Sequence, residues 1–400
     1  MANISIYKKE HCFGCTACYN VCPQDCITME FDNEGFKFPI VYKSACINCG
    51  VCVIHCPITN DFINKEIKQC FGLIHDSSEI TNKSASGGAF TAIADLVIQQ
   101  EGIVYGCGFN DDIEAITMSV DNAEDVSKLR GSKYVQCDNL SQYSEIKKQL
   151  NLGIEVLYAS TPCNVSGLKA FLGKNFSNLT TVDLFCHGVP SPVLFNKYIQ
   201  WLEKKYNGKV TEYSFRDKKY GWGTQGHFTI RGKSRILYGT DPYYNSFLQA
   251  KTYRLSCYEC KFASDKRPGD ISIGDFWGVE HFHPEIDTTR GVSAILINTE
   301  KGISIKQRME CKVTLFETSF DNISFLNKQL VYPTIKPQIR DLIYLKFQEL
   351  DFNKFIHEYL FSSPEITIKI KQLIPTKLKV YIRKISSLVV NKTKNRSEKR

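Results

Sequence analysis

The sequence predicts a protein of mixed α+β and α/β class, in which a small cysteine-rich domain precedes a larger α/β domain and a helical extension with a basic tail. Eight of the 17 cysteines form two closely spaced runs near the start, strand-like and helix-like apolar runs alternate from about residue 84 to 317, and Lys and Arg concentrate at the end. A chain of 400 residues exceeds what one hydrophobic core usually accommodates. We therefore expect a cysteine-rich domain at 1–62, a linker at 63–84, an α/β domain at 85–320, a helical extension at 321–363 and a basic tail at 364–400.

The α/β domain is predicted from the order of its apolar runs. Strand-like runs occupy 154–159, 180–185, 270–276 and 292–298, and helix-like runs occupy 89–100, 143–150, 165–172 and 193–205. This alternation favours a sheet whose strands are connected by helices. Residues 210–237 predict a more antiparallel stretch, and residues 318–362 predict helix.

Composition and charge exclude several classes of protein. No apolar run is long enough for a transmembrane helix. The first residues lack the apolar core of a signal peptide, so we expect a cytoplasmic protein. Residues 366–400 hold eleven Lys or Arg and one Glu, which leaves the rest of the chain near neutral although the net charge is +8. A nucleic-acid partner is therefore not expected.

The two cysteine runs carry the most specific signal. Each has the spacing Cys-x2-Cys-x2-Cys-x3-Cys-Pro, which is typical of bacterial ferredoxins with two [4Fe–4S] clusters. In this pattern the fourth cysteine of each run binds the cluster of the other run. We therefore expect one cluster at Cys12, Cys15, Cys18 and Cys56, and a second at Cys46, Cys49, Cys52 and Cys22. Zinc, the alternative, usually takes two separated cysteine pairs. Cys26 is expected to be a small buried side chain rather than a ligand.

Two features of the larger domain suggest an anionic cofactor. Ser86, Gly87 and Gly88 stand directly before a predicted helix, where backbone N–H groups can approach a phosphate or a flavin edge. An ordinary helix cap is the alternative. Lys133 can place a positive charge near such a cofactor, or it can be a surface lysine.

Four further cysteines suggest a third metal site. Cys163 and Cys186 follow two predicted strands, and ligands of α/β sheets bind at the carboxyl ends of strands. Cys163 also opens a predicted helix, a position that lowers the pKa of a thiol. Cys257 and Cys260 form a pair with metal-ligand spacing. A zinc site at this pair and a buried thiol at Cys163 remain the alternatives.

The motifs of the larger domain together carry a resemblance to a known family. They are Ser-Gly-Gly at 86–88, Gly-Ser-Lys-Tyr at 131–134, Thr-Pro-Cys-Asn at 161–164, Cys-His-Gly-Val-Pro-Ser at 186–191, Cys-x-x-Cys-Lys at 257–261 and Gly-Asp-Phe-Trp-Gly at 274–278. In this order they resemble the beta-subunit family of coenzyme F420 (deazaflavin) hydrogenases and dehydrogenases. Within this family, the chain more closely resembles the bacterial members that carry an N-terminal two-cluster ferredoxin domain.

This resemblance, which spans about residues 5 to 320, implies a flavin, FAD, and a third [4Fe–4S] cluster at Cys163, Cys186, Cys257 and Cys260. It assigns the turn 86–88 and Lys133 to the flavin, and Cys137 replaces a serine that is common in relatives. Bacterial relatives of this type are often associated with surface-polysaccharide synthesis.

The first functional hypothesis is an iron–sulfur flavoprotein oxidoreductase that acts on an unidentified small molecule and exchanges electrons with a redox partner, a ferredoxin or a reductase. His187, Asp275 and Tyr134 are candidates for proton delivery or cofactor contact. Alternatively, His187 orients the Cys186 loop and Asp275 caps backbone N–H groups. The second hypothesis is an electron-transfer module that serves a partner enzyme and has no substrate of its own.

The basic tail suggests a peripheral membrane contact. Apolar residues recur at helical spacing through 374–389, with Lys and Arg on the opposite side. Such a helix can lie on the anionic inner face of the cell membrane. Packing of the same apolar stripe on the protein's own core is the alternative.

Overall fold

The computed structural model describes residues 3–60, 62–64, 66–219, 221–223, 225–237 and 241–361. In this part of the chain the strands are β1 Ile27–Phe31, β2 Lys37–Val41, β3 Gln69–His75, β4 Ile103–Phe109, β5 Ala115–Val120, β6 Val156–Ser160, β7 Leu179–Leu184, β8 Val210–Ser214, β9 Gly226–Ile230, β10 Lys233–Leu237, β11 Ile271–Asp275, β12 Ser293–Ile297 and β13 Val313–Glu317. The α-helices are α1 Ala17–Val21, α2 Val51–Ile54, α3 Ser78–Lys83, α4 Ala89–Ile98, α5 Val126–Leu129, α6 Gln142–Asn151, α7 Pro162–Leu172, α8 Pro192–Tyr206, α9 Pro242–Leu248, α10 Glu300–Met309, α11 Phe320–Ser324, α12 Arg340–Glu349 and α13 Phe352–Phe355.

The N-terminal unit is built from an internal repeat around the cysteine runs. The antiparallel hairpin β1–β2 places Ile27 opposite Val41, and the short helices α1 and α2 each begin inside one cysteine run. The residue before α2, Gly50, has φ +81°, a left-handed conformation in which glycine is not strained. The small core of this unit includes three cysteines of the two runs, Cys18, Cys52 and Cys56, together with Cys26, which is buried as expected.

The larger domain is organised around an eight-stranded mixed sheet with the order β13-β3-β12-β11-β7-β6-β4-β5. Strands β4, β6, β7 and β11 run parallel, and the neighbouring pairs toward both edges are antiparallel. Helices α4 and α10 contribute to one apolar core, and α6 and α7 contribute to another. The predicted α/β class is therefore confirmed, and the carboxyl ends of β6 and β7 lie side by side.

Residues 63–84, which we predicted as a linker, contain strand β3 and helix α3. Strand β3 pairs with both β12 and β13, so this segment is part of the main sheet. Strand β3 is difficult to recognise in the sequence because it begins with Gln69, ends with His75 and contains Gly72. A Cβ atom on Gly72 would lie 2.1 Å from the ring of Phe316, so glycine makes room there for an aromatic side chain of β13.

The predicted antiparallel stretch is the three-stranded sheet β10-β9-β8. Behind it, an aromatic core joins α8 and α9 to the C-terminal helices α12 and α13. The basic tail and its predicted amphipathic helix lie outside the described residues. Among the described residues, no helix has the length and apolar character needed to span a bilayer.

The N-terminal unit packs directly on the larger domain. A Cβ atom on Gly167 of α7 would lie 2.9 Å from the Cys15 sulfur, so the first cysteine run touches this helix. Lys37 of the hairpin forms an ion pair with Asp138 at 2.6 Å. The first cysteine run therefore packs on α7, the helix that also carries Cys163.

Candidate functional site

The cysteines of the N-terminal unit surround two separate cavities. One is lined by Cys12, Cys15, Cys18 and Cys56, and the other by Cys22, Cys46, Cys49, Cys52 and Cys26. Each cavity thus receives three cysteines from one run and the fourth from the other run, which is the crossed grouping that the spacing predicts. Within the described residues, no three Cys, His, Asp or Glu side chains converge closely enough to hold a single metal ion.

Burial makes the free thiolate unfavourable at these positions. It raises the pKa of Cys15 and of Cys18 well above the ordinary value, and it raises the pKa of Cys56 to about 11. Neighbouring thiols of the same cavity add to these increases. A bound metal centre reverses this effect because its positive charge deprotonates coordinating thiols. The chemistry and grouping of the donors therefore fit a thiolate-ligated cluster in each cavity.

The larger domain brings its four candidate cysteines to one cavity of about 360 Å³. Cys163 is in the first turn of α7, directly after β6, and Cys186 follows the end of β7. Cys257 lies in the 3-10 helix Leu255–Glu259, and Cys260 directly follows that helix. Segments that are distant in the sequence thus bring four thiols to the same cavity.

The expected low pKa of Cys163 is wrong. Burial raises the pKa of this thiol to about 11 and that of Cys257 to about 12, which outweighs the effect of the helix terminus. Burial also raises the pKa of Cys186, and the adjacent thiols Cys257 and Cys163 raise it further. Burial is the largest cause of a raised pKa at all four cysteines, and it favours the thiol over the thiolate form.

Most of the predicted cofactor residues line the same cavity. Ser86 and Gly88 do so at the start of α4, and Lys133 and Tyr134 do so from the loop after α5. Gly87 is the exception, since it faces the sheet: a Cβ atom there would lie 2.0 Å from the backbone oxygen of Leu73. Lys133 is half-buried and donates a hydrogen bond of 2.7 Å to the backbone oxygen of Arg130. Burial lowers its pKa.

Asp275 is held in an ion pair rather than capping backbone N–H groups. Arg216 donates to both carboxylate oxygens, at 2.8 and 3.0 Å, and the indole of Trp222 donates to one of them at 2.8 Å. Arg216 also donates to the hydroxyl of Tyr134 at 3.1 Å. Although burial lowers the pKa of Arg216, the Asp275 carboxylate and Tyr134 raise it more, so the guanidinium stays charged.

His187 lies exposed on the cavity wall, directly after Cys186. Desolvation by the surrounding protein lowers the pKa of its imidazole, and the charge of Asp275 only partly opposes this effect. The backbone oxygen of His187 accepts a 2.8 Å hydrogen bond from the Thr334 hydroxyl, which fixes the loop that carries Cys186. At neutral pH the ring is therefore a neutral group that can accept a proton.

Sequence analysis missed two cations beside the cavity, Arg216 and Lys218. The Lys218 ammonium donates to three backbone oxygens, to Thr81 at 2.6 Å, to Ser86 at 2.5 Å and to Arg290. Burial lowers its pKa to about 7, against the opposing charge of Asp275. Both cations follow the end of β8 in a loop without a recognisable motif, so their only sequence signal is their position after an antiparallel strand.

Comparison with known proteins agrees with this arrangement. A family model that describes the C terminus of the beta subunit of coenzyme F420 hydrogenase/dehydrogenase matches residues 154–321, and a model of the 4Fe-4S dicluster domain matches residues 11–60. The second match decides between iron–sulfur clusters and zinc for the N-terminal unit in favour of [4Fe–4S] clusters.

Three relatives match the chain over lengths from 70 to 320 residues. The coenzyme F420-dependent sulfite reductase of Methanocaldococcus jannaschii is 23% identical over 308 residues, which are 75% of this chain and 46% of that protein, so the chain spans about half the length of this relative. The F subunit of the F(420)H(2) dehydrogenase of Methanosarcina mazei is 21% identical over 320 residues, 75% of this chain and 88% of that relative. An uncharacterized ferredoxin of Methanocaldococcus jannaschii is 36% identical over 70 residues, 17% of this chain and 86% of the ferredoxin.

Proposed function

Since residues 154–321 belong to the family of coenzyme F420 hydrogenase/dehydrogenase beta subunits and residues 11–60 form a 4Fe-4S dicluster domain, we propose that this chain is an electron-transferring oxidoreductase subunit. It passes electrons between a redox partner at its N-terminal unit and a cofactor in the cavity of the larger domain. The observation that carries the proposal is that the first cysteine cavity and the large cavity adjoin, since Phe13 lines both. Clusters at these sites can therefore exchange electrons through one continuous protein interior.

The ligand sets follow from the three groups of cysteines. Cys12, Cys15, Cys18 and Cys56 hold the first cluster, and Cys22, Cys46, Cys49 and Cys52 hold the second. Cys163, Cys186, Cys257 and Cys260 hold a third [4Fe–4S] cluster at the carboxyl ends of β6 and β7. Two observations support this ligand set. The four thiols line one cavity, and their burial disfavours the thiolate form unless a metal centre is bound.

The remainder of the large cavity receives a flavin, either FAD or the deazaflavin of the family name. The whole cavity, including the space at the four cysteines, has a volume of about 360 Å³, which lies in the range of small-molecule and cofactor sites. Ser86 and Gly88 offer the start of α4 to a phosphate, and Lys133 supplies a positive charge. When bound, a flavin exchanges electron pairs with a small molecule and single electrons with clusters.

The polar residues of the cavity then have distinct tasks. Lys218 fixes the backbone of the Ser86 turn, and the Arg216–Asp275 pair holds the Tyr134 hydroxyl at the cavity wall. His187 is the group that can accept a proton, because its imidazole is neutral and exposed to the cavity. Direct action on a small-molecule substrate is the second candidate function, and His187 is the observation that favours it.

The test is the cofactor content of anaerobically purified protein. We expect about twelve iron atoms and one flavin or deazaflavin per chain. Changing Cys257 and Cys260 together to Ser should remove about four iron atoms. Cys311→Ser, at an exposed cysteine far from these cavities, is the matched control and should remove none. Zinc in place of iron would refute the proposal, and full iron in the double variant would refute the third ligand set.

Reduced viologen separates the two candidate functions. If the protein serves a partner enzyme, its clusters and flavin should accept electrons without turning over a small molecule. Turnover of a small acceptor other than oxygen that is lost in His187→Gln would favour the enzyme with its own substrate.

A further inference from the structure

Arg254 differs from the other deeply buried arginines of the protein. Arg254, Arg267 and Arg340 are each 1 to 2% exposed. Arg267 pairs with Asp183, and Arg340 pairs with Glu34. Arg254 has no carboxylate partner among the described residues. An arginine stays charged in a protein, and burying a charge without a counter-charge is very costly.

Neutral groups satisfy the hydrogen bonds of Arg254 but not its charge. Its Nε donates to the backbone oxygen of Cys12 at 2.7 Å, Nη1 donates to Gln136 Oε1 at 3.1 Å and Nη2 donates to the backbone oxygen of Lys37 at 3.0 Å. The guanidinium also lies 4.0 Å from the ring centre of Phe38. This environment fixes the guanidinium in one place and leaves its positive charge uncompensated.

The guanidinium lies between two cysteine sets. On one side it holds the carbonyl of Cys12, and a Cβ atom on Gly14 would lie 3.0 Å from Nη1, so it packs on the loop of the first cysteine run. On the other side Arg254 lines the large cavity together with the four cysteines, and its backbone oxygen accepts a 3.0 Å hydrogen bond from the N–H of Cys257. Arg254 itself lines neither N-terminal cavity, but it contacts Cys12 and Gly14, which line the first, and none of its hydrogen-bond partners lines the second.

We propose that Arg254 is the shared counter-charge of the first and third clusters and raises the reduction potentials of both. This inference rests on the proposed function, since it requires clusters at both cysteine sets. A cluster with four thiolate ligands is anionic and becomes more negative when it accepts an electron. A fixed cation nearby favours the reduced form, and net charge and burial are among the factors that set such potentials.

The selective effect of Arg254 on two of three clusters provides the test. In full-length, anaerobic Arg254→Gln, we expect an unchanged iron content. The reduction equilibria of the first and third clusters should shift by about tenfold toward the oxidised form, which corresponds to about 59 mV for one electron. Redox titration followed by electron paramagnetic resonance measures the three potentials, and the second cluster should stay unchanged.

Two further variants keep the test decisive. Gln136→Glu places a carboxylate beside the guanidinium without removing it, and should lower the same two potentials even if Arg254→Gln fails to assemble. Arg340→Gln is the control, because this equally buried arginine already has a carboxylate partner; it should leave all three potentials unchanged. Unchanged potentials in Gln136→Glu, or an equal shift of all three clusters in Arg254→Gln, would overturn the role of Arg254. Absence of clusters from the unmodified protein would instead refute the proposed function.

Discussion

The two parts of this protein stabilise their cysteine sites by different means. In the N-terminal unit, helices of four and five residues and one hairpin surround the cysteines, and the cysteines themselves form much of the core. In the larger domain, the cysteines stand at the end of an eight-stranded sheet that has extensive apolar cores of its own. The first arrangement needs its metal to be stable, because a unit of this size buries little apolar surface. The larger domain should stay folded without metal, and there the metal contributes to function and not to folding.

Removal of all iron should produce the largest difference between the two parts. Anaerobic chelation should unfold helices α1 and α2 and the loops of the two cysteine runs, because the cysteines there lose the iron–sulfur clusters that they coordinate. Strands β6 and β7 should stay folded. Hydrogen exchange of the iron-free protein measures both, and backbone amides of α2 that remain as protected as those of β7 would contradict this difference.

The crossed grouping of the N-terminal cysteines is the next test. Cys18 and Cys56 line one cavity although they belong to different runs, whereas Cys18 and Cys22 belong to one run but line different cavities. Changing Cys18 and Cys56 together to Ser should therefore remove about four iron atoms, and changing Cys18 and Cys22 together should remove about eight. A loss of about eight iron atoms in the Cys18/Cys56 variant and of about four in the Cys18/Cys22 variant would instead show that each run binds its own cluster. Iron analysis of the two double variants gives the answer.

The same contrast explains what could be predicted from the sequence. The N-terminal sites are encoded within short runs, so spacing alone predicts both the ligands and their crossed grouping. The larger site draws on segments from Ser86 to Asp275, and spacing there indicated only the pair Cys257 and Cys260. The position of Cys163 and Cys186 after predicted strands suggested the other two thiols, and the family resemblance implied that all four bind one [4Fe–4S] cluster. The structure brings these side chains to one cavity.

The residues that sequence analysis missed have a common physical reason. Arg216, Lys218 and Arg254 come from loops, and their importance depends on burial and on partners far away in the chain. Gly87 was predicted from its motif, but the register of the turn directs it toward the sheet. Strand β3 was missed because polar residues at both ends and Gly72 in its middle obscure its apolar character.

Loss of the buried carboxylate Asp183 should destabilise the larger domain without affecting the N-terminal clusters. Asp183 is fully buried and accepts hydrogen bonds from Arg267 and, at 2.7 Å, from the backbone N–H of Gly269. Asp183→Asn leaves a buried guanidinium without its counter-charge, so we expect a loss of about 3–5 kcal/mol in the free energy of unfolding. Asp112→Asn, in an exposed pair with Lys209, should cost less than about 1 kcal/mol.

Anaerobic urea unfolding, followed by tryptophan fluorescence, compares these two variants. Iron in the N-terminal unit should be unchanged in both. Equal stability of Asp183→Asn and Asp112→Asn would mean that the buried pair does not support the sheet.

The smallest expected effect is a pH dependence that belongs to the larger domain alone. The Lys218 ammonium donates to the backbone oxygens of Thr81, Ser86 and Arg290, and burial lowers its pKa to about 7. A neutral amine has one proton fewer, so one of these oxygens loses its donor as the pH rises through 7. The protonated form is the one that fixes the Ser86 turn, and flavin affinity should therefore decrease, by less than about tenfold, between about pH 6 and 8.

In Lys218→Arg the side chain stays charged over this range, and the decrease should disappear. Fluorescence titration with flavin at about pH 6 and about pH 8 measures the affinity. The iron content of the N-terminal unit should not change and is the reference. An equal pH dependence in the unmodified protein and in Lys218→Arg would assign the effect to another group, such as His187.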